Sequence, residues 1–272
     1  MAVISVIMGV YNPKDSLRFE NAVRSILNQS FKDLELIIYD DGSSKPARDL
    51  IKRTAALDRR ITLIGSKANR GLAHALNECI KAAGGEYIAR MDDDDVSLCN
   101  RLEGQLELLR QNPDYSWVGS SALLADGGGV WGVRRVKATP LNKDYLFNSP
   151  YIHPSVVFRK KALLSCGGYS EKARHNGAED YELFMRMQSK GYKGFNITSP
   201  LIIYFEDISS YKKRTFKRRI FELAVRYEGF GRLGLLKWRY LLYLIKPLAM
   251  ALLPGRVVHY FRKKRGLMVF GS

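Results

Sequence analysis

Alternation of short β-branched runs with amphipathic stretches over the first 110 residues limits this chain's fold more than any other feature. Residues 3–10, 34–39, 61–64 and 87–91 read as strands, each mostly apolar and ended by polar or turn-forming residues. Between the first two, residues 16–28 set Leu17, Ala22, Val23, Ile26 and Leu27 on one helical stripe, with Ser16 as the predicted N-cap. Residues 46–57, 71–82 and 101–110 read as further helices. Strand, helix and strand repeated at this spacing predict a doubly wound α/β layer with ligands at the carboxyl ends of its strands. With 272 residues and 46% hydrophobic content the chain can bury a sizeable core, which excludes wholesale disorder.

After Asn112-Pro113 the rhythm shortens. Residues 117–124 and 156–158 read as strands around a glycine hairpin signal at Gly127-Gly128-Gly129, residues 178–189 as a helix ended by Lys190-Gly191, and residues 201–205 as a late strand. This is a second, more irregular half of one domain, and a boundary is expected near Ser209-Ser210, where the charge balance changes. Residues 1–210 carry 28 basic and 25 acidic side chains, whereas residues 211–272 carry 16 basic ones and only Glu222 and Glu228. The formal net charge of +17 is therefore mostly a property of the tail.

In that tail, basic clusters at Lys212-Lys213-Arg214, Lys217-Arg218-Arg219 and Arg262-Lys263-Lys264-Arg265 bracket an apolar stretch containing Trp238, Tyr240 and Tyr243. Lys237, Arg239, Lys246 and Pro247 interrupt it, so no run reaches the roughly 18–20 apolar residues of a membrane span. The composition suits a helical segment lying on an anionic membrane surface, with a folded helical subdomain as the alternative. Nucleic-acid binding is disfavoured, because the apolar content exceeds what a phosphate-tracking arm needs. Three scattered cysteines, Cys79, Cys99 and Cys166, support neither a disulfide framework nor a cysteine zinc site. The first residues read as a strand and not as a signal peptide, so a cytoplasmic protein, peripheral at the inner face of the cell membrane, is expected.

The strongest chemical signal is Asp92-Asp93-Asp94-Asp95 directly after an apolar strand. Four adjacent carboxylates repel one another, and at a sheet's carboxyl edge they call for a hard divalent cation shared with ligand phosphates. A solvated acidic turn is the plainer reading of a bare Asp run. The second strand also ends in carboxylates, Asp40-Asp41-Gly42-Ser43, and Asn69-Arg70-Gly71-Leu72 opens the next helix with Arg70 and free N–H groups where an anion could sit. Each of these alone is equally an ordinary turn or helix start.

Together, Val10-Tyr11-Asn12, Asp40-Asp41-Gly42-Ser43, Asn69-Arg70-Gly71-Leu72, the Asp run, His153-Pro154-Ser155, Gly167-Gly168-Tyr169 and Glu179-Asp180-Tyr181-Glu182-Leu183 resemble the family 2 glycosyltransferases of bacterial surface-glycan type in order and spacing, over residues 3–207. The resemblance implies a GT-A fold, a Rossmann-like nucleotide-binding mixed sheet flanked by helices, followed here by a basic, apolar helical C-terminal tail. It implies a catalytic domain over residues 1–210, with residues 1–112 as the nucleotide-sugar half and 113–210 as the acceptor half; the composition of residues 211–272 adds a membrane-associating region. The resemblance also implies an inverting transfer of a sugar from a nucleotide-sugar donor with a divalent metal, Mn²⁺ or Mg²⁺, on the diphosphate. By that likeness Val10, Tyr11, Asp40, Asp41, Arg70, Asp92 and Asp93 line the nucleotide, and Asp92 and Asp94 hold the metal. Asp180 is the general base with Glu179 beside it, and His153 is an acceptor-side or diphosphate contact, with a structural histidine as the plainer reading. Asp93 departs from the small residue usual between the two ends of the DxD motif and leaves the ligand assignment open.

The processive members' Gln-x-x-Arg-Trp motif is absent after the base, which implies addition of one sugar, and the tail's composition suits a glycan or lipid-linked acceptor. UDP is the expected nucleotide by family habit, with dTDP and GDP sugars as alternatives, and oligomerisation is left open. The competing readings are a nucleotidyltransferase-like enzyme acting at the α-phosphate and a non-enzymatic basic protein that binds nucleic acid through its tail.

Overall fold

The computed structural model describes residues 2–206, 216–251, 260 and 263–264. The expected boundary at Ser209-Ser210 and the first basic cluster of the tail lie outside these residues. The first half follows the predicted alternation: β1 (Ile4–Val10), α1 (Ser16–Leu27), β2 (Leu34–Asp41), α2 (Lys45–Ala55), β3 (Ile61–Ser66), α3 (Leu72–Ala82), β4 (Tyr87–Arg90), a two-residue β5 (Val96–Ser97) and α4 (Arg101–Gln111). The second half holds β6 (Tyr115–Asp126), β7 (Gly129–Arg134), β8 (Val157–Arg159), α5 (Lys160–Ser165), α6 (Glu179–Ser189) and β9 (Lys193–Phe205). Two helices of the tail follow, α7 (Phe216–Arg232) and α8 (Leu241–Ala251).

Among the described residues the strands form one sheet in the order β3-β2-β1-β4-β8-β6-β9-β5, with β7 paired to β6. The β3-β2-β1-β4 portion is parallel, as a doubly wound layer requires. Beyond β4 the sheet turns mixed, because β8 runs antiparallel to both β4 and β6, while β9 runs parallel to β6. The strand expected at residues 201–205 begins earlier, at Lys193. Ser199-Pro200 falls where the β6–β9 register shifts, and a proline tolerated at such an irregularity hides one long strand as two short ones. The N-cap of α1 is Asp15, whose carboxylate accepts the Arg18 N–H, and not Ser16, which begins the helix.

Alternate residues of β1 and β2 supply opposite faces of the sheet, which is why these strands read as continuous apolar runs. Ile4, Val6, Met8 and Val10 pack with Phe19, Val23 and Ile26 of α1 and Leu102 and Leu106 of α4. Ile7, Ile37 and Tyr39 face α3 and a core that reaches Phe184 of α6. Val225 and Phe230 of α7, with Leu233 and Leu235 after it, are buried in this same core. Arg226 (1% exposed) anchors α7 by donating to the carbonyls of Leu146 at 2.9 Å, Phe147 at 3.1 Å and Tyr243 at 3.2 Å. Arg232 pairs with Glu182 of α6 at 2.7 Å. No helix among the described residues is long and apolar enough to cross a membrane.

Candidate active site

The carboxyl ends of β2, β1 and β4 lie side by side, so the loops that follow them share one edge of the sheet. Gly42 sits at φ +76°, and a Cβ there would lie 2.5 Å from the Ala68 carbonyl carbon; only glycine lets the β2 loop run this close to the segment before α3. Asn12 joins the β1 and β2 loops, donating its N–H to Ser43 Oγ at 3.0 Å and accepting the Ser44 N–H at 2.9 Å.

Asp40 and Asp41 are both buried at this edge. Asp40 accepts the Ser43 N–H at 2.9 Å and pairs with Arg48 at 3.3 Å, so it braces the loop. Asp41 accepts the N–H groups of Arg70 and Gly71, one on each oxygen and both at 2.8 Å, and thereby fixes the entry of α3. Val10 is buried beneath them, while Tyr11 (52% exposed) and Arg70 reach solvent.

β4 delivers the Asp run. Its last residue, Arg90, is enclosed, and Arg90 Nη1 stands 2.5 Å from Asp92 Oδ1. Side-chain oxygens of Asp92, Asp94 and Asp95 all lie within 4.8 Å of one another, while Asp93 lines the same cavity as Asp92 and Asp94. Asp95 accepts the Phe205 N–H at 2.9 Å, and among the described residues its buried Oδ2 has no hydrogen-bond partner. Burial, reinforced by Asp94 and Asp92, pushes the Asp93 carboxyl up to about 7. Burial with Asp92 and Asp94 likewise raises Asp95 well above the carboxylate range. Sequence reasoning selected Asp92 and Asp94 and missed Asp95, whose only signal was its place in the run.

The first turn of α6 carries the second carboxylate pair. Glu179 accepts the Gly177 N–H at 2.6 Å, and burial, then the Asp180 charge, raise its pKa. Burial also raises Asp180, against the opposing fields of Arg134 on β7 and of Arg90. Gly177, whose N–H holds Glu179, lines the same cavity as Asp92, Asp93 and Asp94, and the Arg90 guanidinium lowers the carboxyls of both motifs against the effect of burial. His153 lies deeper, with Nε2 2.7 Å from the Tyr169 hydroxyl and its ring against Phe184. Burial, with Arg90 adding, holds its pKa well below the usual imidazole range, so the ring is neutral at pH 7.

A cavity of about 330 Å³ opens at the Asp run, and α7 lines it through Arg218, Arg219 and Glu222. Sequence reasoning put these residues in a membrane tail; nothing in their local pattern gives the long-range contact that returns them to the site.

Comparison with known proteins agrees with this geometry. The family model described as "Glycosyl transferase family 2" matches residues 5–168. EpsE of Bacillus subtilis (strain 168), a glycosyltransferase by its name, is 36% identical over 96% of this chain and 94% of its own length. The O-antigen biosynthesis glycosyltransferase WbnJ of Escherichia coli is 34% identical over 68% of this chain and 71% of its own. An Escherichia coli UDP-Gal:alpha-D-GlcNAc-diphosphoundecaprenol beta-1,3-galactosyltransferase is 26% identical over 96% and 95%. Among solved structures, Staphylococcus aureus TarS 1–349 in complex with UDP superposes with a TM-score of 0.62 at 16% identity, over 87% of this chain and 71% of that one. Mannosyltransferase PcManGT from Pyrobaculum calidifontis, in complex with GDP-Man and Mn²⁺, gives 0.59 at 19% identity, over 97% and 80%. The fold is therefore GT-A, and with a family match over residues 5–168 and a glycosyltransferase relative 36% identical over nearly the whole length of both chains, this chain belongs to glycosyl transferase family 2 and is a glycosyltransferase.

Proposed function

We propose that this glycosyltransferase moves one sugar, with inversion, from a nucleotide-diphosphate sugar to a hydroxyl of a glycan or lipid-linked glycan acceptor. The observation that carries the reading is the convergence of the Asp run and the Glu179-Asp180 pair around the buried Arg90 at the carboxyl edge of β4. TarS in complex with UDP and UDP-GlcNAc, and the diphosphoundecaprenol acceptor in the name of the Escherichia coli relative, support a UDP-sugar donor and a lipid-linked acceptor. The fused edge formed by Tyr11, Asp40, Asp41 and Arg70 supports a nucleotide seat. Tyr11 and Arg70 are the groups that reach the ligand there, while Asp40 and Asp41 hold the loops in place.

The donor set fits a hard divalent cation. Three carboxylates with oxygens within 4.8 Å match the all-oxygen shell that Mn²⁺ and Mg²⁺ take, and an ion there would give the buried Asp95 Oδ2 the partner it otherwise lacks among the described residues. Asp92 and Asp94, with Asp95 behind them, would hold the ion, which when bound supplies countercharge to the departing diphosphate. PcManGT in complex with Mn²⁺ supports the same class of ion. Asp180 takes the acceptor hydroxyl's proton as that oxygen bonds to C1, while the C1–diphosphate bond breaks and its electron pair leaves on the diphosphate. Glu179, fixed by the Gly177 N–H, stands beside Asp180 to orient it. His153, neutral and bonded to Tyr169, shapes the acceptor side from behind.

The division into a catalytic part over residues 1–210 and a tail that meets a membrane belongs to the same reading. Lys237 and Arg239 flank the exposed Trp238 and Leu242, a combination suited to an anionic lipid surface.

The test is release of nucleoside diphosphate from a panel of nucleotide sugars plus acceptor, with and without Mn²⁺ or Mg²⁺, for wild type and Asp180→Asn. Metal-dependent release of one nucleotide, lost in the variant, is expected. Cleavage at the α-phosphate, or release indifferent to Asp180, would overturn the reading.

A further inference from the structure

The cavity at the Asp run is lined by carboxylates, with Glu206 beside the run, and by α7, which brings two arginines together with Glu222, the partner of Arg219. Asp92, Asp93 and Asp94 are the carboxylates of the run, and Arg218 and Arg219 are the two arginines. At about 330 Å³ it sits at the small end of ligand-sized clefts, which run from about 300 to 1,000 Å³. A cavity lined by carboxylates that would hold a cation and by two arginines suits a strongly anionic group that could bond to both. We propose that Arg218 and Arg219 bind the diphosphate of the nucleotide-sugar donor, so that the tail helix completes the donor site. This deepens the donor reading above and rests on it.

Three further observations support the role. First, the two arginines are held in place and not simply displayed on a loose tail. Arg226, two turns along α7, is locked to three carbonyls and to Glu222, and Arg174 pairs with Glu228 of α7 at 2.8 Å. A helix fixed at this many points positions its first turn at little entropic cost to ligand binding. Second, Arg218 lies over the turn that carries the base. A Cβ built on Gly177 would meet Arg218 Nε at 3.4 Å, and the Gly177 N–H is the donor that holds Glu179. Arg218 therefore lines the cavity of the Asp run and lies against the turn that leads into Asp180. Third, Arg219 retains donor capacity. Its Nη1 bonds Glu222 at 3.1 Å, while its buried Nε has no hydrogen-bond partner among the described residues.

The chemistry follows from where charge develops. As the acceptor oxygen bonds to C1 and the C1–oxygen bond breaks, the electron pair and the growing negative charge settle on the diphosphate. Preorganised guanidinium donors aimed at that group stabilise the departing anion more than the bound substrate. A diphosphate could also reach this cavity as part of a lipid-linked acceptor, and the two sources give different results in one titration.

Full-length wild type, Arg218→Gln/Arg219→Gln and Arg218→Lys/Arg219→Lys would be titrated calorimetrically, with Mn²⁺ present, with whichever of UDP, dTDP and GDP wild type binds most tightly. The matching monophosphate and nucleoside would follow, with a thermal melt of each protein as a control. The expected result is a loss of about 10- to 100-fold in diphosphate affinity for the Gln pair, a smaller loss for the Lys pair, and little change for the nucleoside. Equal losses for diphosphate and nucleoside, or undiminished diphosphate affinity in the Gln pair, would overturn the proposal while leaving the donor reading intact, and in the second case a lost affinity for a polyprenyl diphosphate titrated in the same way would assign the arginines to the acceptor. A wild type that binds no nucleoside diphosphate would take down the donor reading and this proposal together.

Discussion

At the scale of single residues, the site is a set of carboxylates whose environments set their charge. Asp180 is the proposed base, and on that proposal its protonation decides turnover. Burial raises its pKa, and the fields of Arg134 and Arg90 only partly offset that. A general base works only when ionised, so kcat should fall as pH drops through a midpoint above the ordinary carboxylate range near 4. The sign for stability is opposite to the usual carboxylate case. A folded pKa above the unfolded one means that the native state binds the proton more tightly, so ionised Asp180 opposes folding at neutral pH and stability is gained as pH falls. Asp180→Asn should therefore lose about 10²- to 10⁴-fold in kcat yet melt at the same or a higher temperature at pH 7. A kcat–pH profile and paired melts check both, and a variant that melts markedly lower would refute the electrostatic account. Asp92, Asp94, Glu179 and Asp180 could be proposed from the sequence because, beyond an ordinary acidic turn or helix start, they stand in the order and spacing of the family's motifs. Arg90 could not, because a lone arginine in an apolar strand has no sequence signal for the charges that the fold wraps around it.

At the scale of elements, a local pattern reveals where a helix or strand lies and conceals what fastens it. The parallel strands β1 to β4 were readable because both faces are buried and each strand is one apolar run. The full length of β9 was not, because Pro200 at a register shift imitates a strand end. The start of α3 was readable from Gly71, but its fastening to Asp41 across 29 and 30 residues was not. That fastening predicts a measurable cost. Asp41→Asn would set an amide NH₂ against the N–H of either Arg70 or Gly71 and leave one buried donor unmet, a loss of about 1–3 kcal/mol. Urea unfolding at pH 7 should show it as a lower midpoint at unchanged slope, together with weakened nucleotide binding as the loop holding Arg70 loosens. An unchanged midpoint would mean that Asp41 does not fix the loop.

At the scale of the whole molecule, the tail is where sequence and structure differ most, and for a physical reason. Its composition announces basic and apolar residues but not which of them face inward. Val225, Phe230, Leu233 and Leu235 turn into the core beside α6, and Arg226, a residue type that composition assigns to a solvated face, is among the most buried side chains of the protein. Other residues turn outward: Trp238 is 86% and Leu242 76% exposed, and Leu241 and Ile245 share their surface. Removing residues 211–272 would strip the core of four side chains, each contributing about 1.5–3 kcal/mol when fully buried, so a truncation would report misfolding before membrane affinity. Surface substitutions separate the two. If the outward apolar residues and the cations Lys237 and Arg239 meet an anionic bilayer, wild type should co-sediment with phosphatidylglycerol vesicles and not with neutral ones, and salt should weaken the binding. Trp238 fluorescence should shift to the blue as the indole leaves water. Trp238→Ser/Leu242→Glu should abolish sedimentation, while the melting temperature and nucleotide affinity hold, because neither side chain supports the core. A variant that still sediments with anionic vesicles would show that this face is not the membrane contact and return Trp238 and Leu242 to the pool of solvated surface residues.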